Sequence, residues 1–186
     1  MLGVCQEFPQ FSLNAVDGSN NIIEVTNADL DGKWSVVYFY PKDFTFICPT
    51  EIAAMDKLLE EAAVLGISGD NEFCKLNWKQ SNDLIANINH PLAGDCGCEL
   101  AAEAGVYNDD KGVAFRATFI LDPEGIIQSV SCNELDTGRS ADEILRTVQA
   151  LKSGGLTGCG WESGEEFVAQ YRFKTEETSS QSKKEI

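Results

Sequence analysis

One stretch of the chain, residues 34–52 with the sequence WSVVYFYPKDFTFICPTEI, constrains the fold more than any other. The run from Val36 to Tyr40 is apolar and rich in β-branched and aromatic residues, which predicts a buried strand that Pro41 ends. Cys48 precedes Pro49, and proline suits the first turn of a helix because the N–H that it lacks would be unpaired there. The stretch therefore predicts a strand, a loop and a helix, with Cys48 at the N-terminus of the helix.

This position favours a reactive cysteine. Unpaired N–H groups and the helix dipole stabilise the thiolate, which is the nucleophilic form of the side chain, and Glu51 complements the same dipole. Thr45 precedes Cys48 by three residues, so one turn of backbone would bring its hydroxyl to the sulfur, where it could orient the thiolate and an oxygen under attack. A buried structural cysteine is the competing interpretation. The agreement of strand, loop, Pro49 and Glu51 disfavours it.

The segment PKDFTFIC, from Pro41 to Cys48, fits the pattern Pro-x-x-x-Thr-x-x-Cys of the peroxiredoxins. Together with the following Pro-Thr-Glu it resembles their typical 2-Cys branch, the alkyl hydroperoxide reductase C (AhpC) type. The resemblance extends to about Phe167 and implies a thioredoxin-like fold and an enzyme that reduces hydrogen peroxide and alkyl hydroperoxides to water and alcohols. One departure lies between Glu51 and Leu65, where the chain is several residues shorter than is usual in the family.

The resemblance also implies roles for individual residues. Cys48 would be the nucleophile that peroxide converts to a sulfenic acid, and Pro41 would shield it from bulk water. Arg116, at the start of RATF, matches the family's active-site arginine, a permanently charged planar donor that would hold the thiolate and stabilise the leaving oxygen. Arg139 resembles the second arginine, with Glu51 as its carboxylate partner. An ordinary surface charge is the alternative interpretation of Arg139.

Cys159, in the string LTGCGW, resembles the resolving cysteine, whose thiol condenses with the sulfenic acid. It stands two residues before Trp161, whereas many relatives carry this cysteine four residues before the tryptophan. By resemblance it would attack Cys48 of a neighbouring protomer in a head-to-tail homodimer, which is often assembled into a ring of five dimers. A Gly-Gly-Leu-Gly loop and a C-terminal Tyr-Phe pair mark relatives that peroxide overoxidises. Neither is clear in this sequence, which predicts a robust enzyme.

The same resemblance implies thiol and disulfide chemistry alone, so neither a bound cofactor nor a metal is expected. Electrons would come from an external dithiol protein, with thioredoxin, a flavin-containing reductase subunit and an AhpD-type partner as the candidates. Cys96 and Cys98 form a rival redox pair, or part of a metal site with Cys74, although a lone Cys-x-Cys supplies two of the usual four ligands. We expect Cys132, on a predicted strand, and Cys74, on a predicted helix, to be packing residues.

The rest of the chain predicts an α/β fold with a mixed central sheet flanked by helices, because strands and helices alternate early and a hairpin comes late. Alternating residues around Asp17 to Asn20 predict an N-terminal hairpin extension within residues 1–32. The other predicted strands are 62–68, a short one within 90–95, 116–121 and 126–131, and the further helices are 72–81, 98–104 and one of about twelve residues between Ser140 and Gly154.

We expect three parts along the chain. Residues 1–158 form the thioredoxin-fold peroxidase domain, and residues 159–174 form a C-terminal arm that carries the resolving cysteine. Residues 175–186 are polar and without periodicity, which predicts disorder.

Composition excludes several classes of protein. The 186 residues suit one domain, no apolar run approaches the roughly 18 residues of a membrane span, and a net charge of −16 argues against nucleic acid or an anionic membrane as the main partner. Seven cysteines at scattered spacings do not resemble a secreted disulfide framework. The first ten residues have no basic start and no apolar signal core, so we expect a cytoplasmic protein.

Three other functions compete with peroxide reduction. A cysteine hydrolase needs a histidine base, and the one histidine, His90, lies next to a proline without a partner motif. A dithiol oxidoreductase needs Cys-x-x-Cys at the helix start, where this chain has Glu51 in the second place. A thioredoxin-fold chaperone or redox-signalling module is the non-enzymatic alternative. Mutation of Cys48 would abolish peroxidase activity and could leave chaperone activity intact.

Overall fold

The computed structural model describes residues 1–168. The tail predicted for residues 175–186 and the end of the predicted arm lie outside the described residues. The strands are β1 (Ser12–Val16), β2 (Ile22–Thr26), β3 (Ser35–Phe39), β4 (Ala63–Ser68), β5 (Leu92–Gly94), β6 (Tyr107–Asn108), β7 (Val113–Ala114), β8 (Arg116–Leu121) and β9 (Ile127–Asn133). The α-helices are α1 (Cys48–Met55), α2 (Glu72–Ser81), α3 (Glu99–Glu103) and α4 (Ala141–Ser153), with short 3-10 turns at Asn27–Asp29 and Asp56–Glu60.

Seven strands form one mixed sheet in the order β2-β1-β5-β4-β3-β8-β9. β3, β4 and β5 are parallel to their neighbours in that group, and β8 and β1 add antiparallel neighbours on either side. The late hairpin is present, with Arg116 opposite Asn133 and Thr118 opposite Ser131. The mixed sheet flanked by helices confirms the predicted fold class.

β3 is the centre of the sheet because both of its faces are covered. All five of its residues are buried, and side chains of a strand alternate between the two faces. Val37 and Phe39 join a core that includes residues of α3 and the N-terminal segment, whereas Val36 and Tyr38 join a core that includes residues of α1, α2 and α4. A strand that is buried on both sides has a continuous apolar sequence rather than an alternating one.

The N-terminal hairpin is part of the sheet rather than an appendage to it. β1 pairs with β2 and also, in antiparallel register, with β5, so that Ala15 lies opposite Ala93. The sequence does not predict this pairing, because strands distant in sequence carry no local signal of their partners. It also does not predict the two-stranded ribbon of β6 and β7.

Helix caps follow the sequence closely. Asn71 accepts a hydrogen bond from the backbone N–H of Cys74 at the start of α2, and Ser140 accepts one from that of Glu143 at the start of α4. Gly154 ends α4 with φ of 64°, a left-handed conformation that glycine adopts without a steric penalty. None of the helices within residues 1–168 is long and apolar enough to span a bilayer.

The exposure of Cys132 contradicts the prediction that it is a packing residue. This cysteine is exposed rather than packed, and Cys74 is only partly buried. The reason is the place of β9 at the edge of the sheet, where the strand becomes more exposed towards its end.

Candidate active site

The loop between β3 and α1 positions Cys48. Phe44 turns this loop with φ of 55°, a left-handed conformation that non-glycine residues adopt rarely. α1 begins at Cys48 with Pro49 in its first turn, as the sequence predicts, and the Cys48 side chain is completely buried. The helix is shorter than its apolar pattern predicts, because after Met55 the chain tightens into the 3-10 turn of residues 56–60.

An open pocket of about 220 Å³ leads to Cys48. Its wall combines residues of the β3–α1 loop with residues around β7, β8 and β9: Pro41, Lys42, Thr45, Cys48, Lys111, Val113, Arg116 and Leu135. The sequence predicts four of these as site residues, namely Pro41, Thr45, Cys48 and Arg116. It does not predict Lys42 and Lys111, which give the mouth of the pocket a positive charge that suits an anion or a polar oxygen ligand.

Arg116 connects the sulfur to a buried carboxylate. Its Nη1 lies 3.4 Å from Sγ of Cys48 and 2.5 Å from Oε2 of Glu51. Its Nε donates to the carbonyl of Leu135, at 2.7 Å. The guanidinium is therefore fixed on both edges, and one of its N–H groups is directed at the sulfur. A charged donor in this position can form a charge-assisted hydrogen bond to the sulfur.

Arg139 is buried, not an ordinary surface charge. Its Nε and Nη2 donate to the two oxygens of Glu51 at 2.9 and 3.1 Å, and its Nη1 donates to the carbonyls of Phe39 and Ala117 at 2.9 and 2.8 Å. The bidentate contact fixes the carboxylate that in turn holds Arg116. Glu51 thus lies between two guanidinium groups, each side chain at most 5% exposed.

Thr45 lies in the pocket wall without contacting the sulfur. Its hydroxyl donates to the carbonyl of Lys42, at 2.9 Å, within the same loop. Sequence spacing correctly brings Thr45 to the pocket, but it does not predict which acceptor the hydroxyl chooses, because a backbone carbonyl of the loop competes with the sulfur.

A second buried chain of hydrogen bonds supports this network, and sequence reasoning missed it. The guanidinium of Arg139 lies over the ring of Tyr38, 5.1 Å from its centroid, and the Tyr38 hydroxyl is 2.8 Å from Nε2 of His90. Nδ1 of His90 is 2.9 Å from Oδ1 of Asp56. Asp56, directly after α1, is therefore the partner of the one histidine.

Burial and hydrogen bonding together decide the charges in this second chain. Burial lowers the pKa of His90 despite the Asp56 contact, which keeps the imidazole neutral. Burial also opposes ionisation of Asp56, but hydrogen bonds from His90 and Asn89 outweigh it and hold the Asp56 pKa well below its usual value. A neutral His90 would donate from Nδ1 to the carboxylate and accept at Nε2 from the Tyr38 hydroxyl, whose pKa is raised, mainly by burial.

Cys159 lies in a segment of a different kind. It is exposed and belongs to residues 154–168, which follow α4 without forming a helix or strand. Trp161 anchors the segment: it is buried, its ring stacks on Phe167 with centroids 5.9 Å apart, and its carbonyl accepts from Arg146 at 3.0 Å.

Cys96 and Cys98 differ from each other. Cys96 is exposed, whereas Cys98 is buried at the start of α3 with φ of 58°. Burial and then the nearby Asp95 raise the pKa of Cys98, which disfavours its thiolate as a nucleophile. Cys74 does not join this pair in the metal-capable grouping within the described residues. It groups instead with Asp43 and Asp70.

Comparison with solved structures defines the class. The structure superimposes on the reduced 2-Cys peroxiredoxin of Plasmodium vivax with a TM-score of 0.83 and 37% sequence identity, over 89% of this chain and 92% of the other. It superimposes on AhpC of Mycobacterium tuberculosis with a TM-score of 0.79 and 39% identity, over 87% of this chain and 99% of the other. The protein is therefore a thiol-dependent peroxidase of the peroxiredoxin class, as the sequence predicts.

The sequence comparisons identify the family within that class. Residues 4–130 match the AhpC/TSA family. Alkyl hydroperoxide reductase C of Mycolicibacterium smegmatis is 41% identical over 181 residues, which cover 89% of this chain and 92% of the relative. The chain belongs to the AhpC/TSA family, which confirms the family predicted from the segment between Pro41 and Glu51.

Proposed function

We propose that Cys48 is the nucleophile with which this protein reduces hydrogen peroxide and alkyl hydroperoxides. The observation that carries the proposal is the contact of 3.4 Å between Sγ of Cys48 and Nη1 of Arg116 at the base of an open pocket. A thiolate attacks one oxygen of the peroxide, the O–O bond breaks, and the second oxygen leaves as water or an alcohol after it takes a proton. The sulfur retains the first oxygen as a sulfenic acid.

The supporting residues act on the charge that moves in this step. Arg116 holds a positive charge where the leaving oxygen becomes negative, and this kind of preorganised donor is among the largest contributions to catalysis. Glu51 fixes Arg116, and Arg139 fixes Glu51, so both act as positioning residues. Pro41, which lines the same pocket, would shield the sulfur from bulk water. The Thr45 hydroxyl would leave the Lys42 carbonyl and turn to the bound peroxide, which requires only rotation of its side chain.

Cys159 is the resolving cysteine in our proposal. Its thiol attacks the sulfenic sulfur, a disulfide forms and water leaves. The exposure of Cys159 contrasts with the complete burial of Cys48, so one of the two segments must rearrange before their sulfurs meet. We assign this reaction to the Cys48 of a neighbouring protomer in a homodimer, with a ring of five dimers as the larger assembly.

The remaining assignments follow from the same chemistry. An external dithiol protein (thioredoxin, a flavin-containing reductase subunit or an AhpD-type partner) would reduce the disulfide, and we place the reaction in the cytoplasm, without a cofactor. Residues 1–158 would carry the first step and residues 159–174 the resolving thiol.

The test compares three serine variants of the full chain, Cys48→Ser, Cys159→Ser and Cys132→Ser. We expect peroxide consumption with a small dithiol as reductant to vanish in the first variant and to persist in the third, whose exposed thiol lies outside the pocket. After one equivalent of peroxide, a non-reducing gel should show a covalent dimer in the native sequence. Cys159→Ser should instead give a sulfenic acid that dimedone traps. Full activity of Cys48→Ser would refute the proposal, and a disulfide in Cys159→Ser would assign the resolving role to another cysteine.

A further inference from the structure

Three potential metal ligands come together outside the wall of the Cys48 pocket. Asp43 belongs to the β3–α1 loop, Asp70 follows β4, and Cys74 lies in the first turn of α2. One ligand atom of each lies within 4.8 Å of the other two. Ligand atoms around a tetrahedral zinc ion are about 3.3–3.8 Å apart. Side-chain rotations that move these atoms by about 1 Å would bring them to that separation. None of the three residues takes part in the proposed peroxidase step.

The two oxygens of the Asp43 carboxylate differ in their hydrogen bonding. Oδ1 accepts hydrogen bonds from the Tyr40 hydroxyl, the Ser68 hydroxyl and Nζ of Lys75, at 2.9, 3.2 and 3.3 Å. Oδ2 is buried, and no nitrogen or oxygen donor among residues 1–168 forms a hydrogen bond to it, although the side chain is completely removed from solvent. Buried carboxylate oxygens are ordinarily satisfied, because an unpaired one loses its hydration without compensation. A cation bound to Oδ2 would compensate for the lost hydration.

The cluster also has the charge that a cation needs. Asp43 and Asp70 together outweigh Lys75 by one negative charge. A divalent ion that displaces the thiol proton would leave the group of Asp43, Asp70, Cys74, Lys75 and metal neutral. Asp70 is already oriented, since its Oδ2 accepts the backbone N–H of Asp43, at 2.8 Å.

We propose that Asp43 Oδ2, the Asp70 carboxylate and the Cys74 thiolate bind one divalent transition-metal ion of the zinc type. One thiolate and two carboxylates suit a borderline-soft ion better than Mg²⁺ or Ca²⁺, which prefer oxygen ligands alone. Three protein ligands leave a fourth position for water, as Asp70 and Cys74 are only partly buried. The ion would link two elements, the loop before Cys48 and the start of α2.

Co²⁺ is the probe for the test, because its absorption reports a bound thiolate directly. The reduced full chain should bind one equivalent of Co²⁺ with a thiolate charge-transfer band, and Zn²⁺ should displace it. Cys74→Ser should lose the band, and Asp70→Asn, which keeps an acceptor for the Asp43 N–H, should weaken binding at least tenfold. The thermal midpoint should rise with Zn²⁺ in the native sequence and not in these two variants.

Cys96→Ser and Cys132→Ser are the matched controls, because both remove an exposed thiol outside the cluster. Their Co²⁺ affinity should stay within twofold of that of the native sequence. The proposal is overturned if the band survives in Cys74→Ser, or if 100 µM Co²⁺ leaves the protein unoccupied, in which case ordered water satisfies Asp43 Oδ2. Peroxidase activity does not enter the measurement, so either result leaves the proposed function untouched.

Discussion

The two cysteines assigned to the reaction lie in regions built on opposite principles. Cys48 is completely buried beside two guanidinium groups and a carboxylate that hold one another by charge-assisted hydrogen bonds. Cys159 is exposed in a segment without helix or strand, which Trp161 anchors to the domain. The difference fits the two steps of the proposed reaction: attack of Cys48 on a peroxide would need fixed charges, and disulfide formation would need a thiol that can move to the sulfenic acid. Each variant below should affect one region and leave the other intact.

The largest effect should come from Glu51→Gln, which removes the negative charge between Arg116 and Arg139. Loss of one partner from a buried ion pair costs about 3–5 kcal/mol, because the remaining charges stay buried without compensation. Urea unfolding of the variant and the native sequence should show a free energy of unfolding that is lower by this amount in the variant. Glu143→Gln is the control: its carboxylate is mostly exposed and pairs with Arg146 three residues on, so it should cost less than about 1 kcal/mol. Equal losses in both variants would contradict the comparison.

Arg116→Met should follow, with a smaller effect on stability and a direct effect on the first chemical step. Removal of a preorganised donor slows reactions of this kind about 10²–10³-fold. The rate of Cys48 oxidation by hydrogen peroxide, measured under single turnover, should fall by that factor. Arg146→Met removes a guanidinium from the Cys159 region, where it donates to the carbonyl of Trp161, and should leave the same rate within about twofold. A slow first step in Arg146→Met would show that the two regions are coupled.

The sequence predicts the region around Cys48 far better than it predicts contacts between residues that are distant along the chain. Cys48, Pro49 and Glu51 lie within four residues of one another. Together they form a local sequence pattern that is typical of a helix N-terminus. Resemblance identifies Arg116 and Arg139, and the structure shows both against Glu51. The long-range pairs are not predictable, because neither the contact of His90 with Asp56 nor that of β1 with β5 leaves a periodic pattern. The prediction for Cys132 is wrong because burial depends on the place of a strand in the sheet.

Trp161→Ala tests the second region alone. Its ring is buried and stacks on Phe167, so its loss removes a large buried side chain from residues 154–168. Local opening should become at least about tenfold more populated, which corresponds to about 1.4 kcal/mol, and limited proteolysis within the segment should accelerate in proportion. The first step at Cys48 should keep its rate within about twofold. Unchanged proteolysis would mean that contacts other than Trp161 hold the segment.

The smallest effect, and the most selective one, should come from pH through His90. Its pKa is lowered in the folded protein because burial penalises the imidazolium, whereas the unfolded chain titrates near about 6.5. The unfolded state therefore takes up a proton first as the pH falls. The contribution of His90 to stability is present above about pH 6.5 and is lost below it, by at most about 1.4 kcal/mol per pH unit. Asp56, whose pKa is lowered, adds a separate loss below about pH 4.

His90→Gln provides the test, because the chain has no other histidine. The free energy of unfolding should decline between pH 6.5 and 5 in the native sequence, and this decline should be shallower in the variant. Asp56 loses the hydrogen bond from His90 in the variant, but its effect falls below about pH 4, outside this range, and the other carboxylates cancel in the difference. Since Tyr38 connects His90 to Arg139, mild acid should weaken the Cys48 region while proteolysis at residues 154–168 stays constant. A decline of the same steepness in both proteins would show that His90 is already protonated in the fold, with its Nε2 donating to the Tyr38 oxygen.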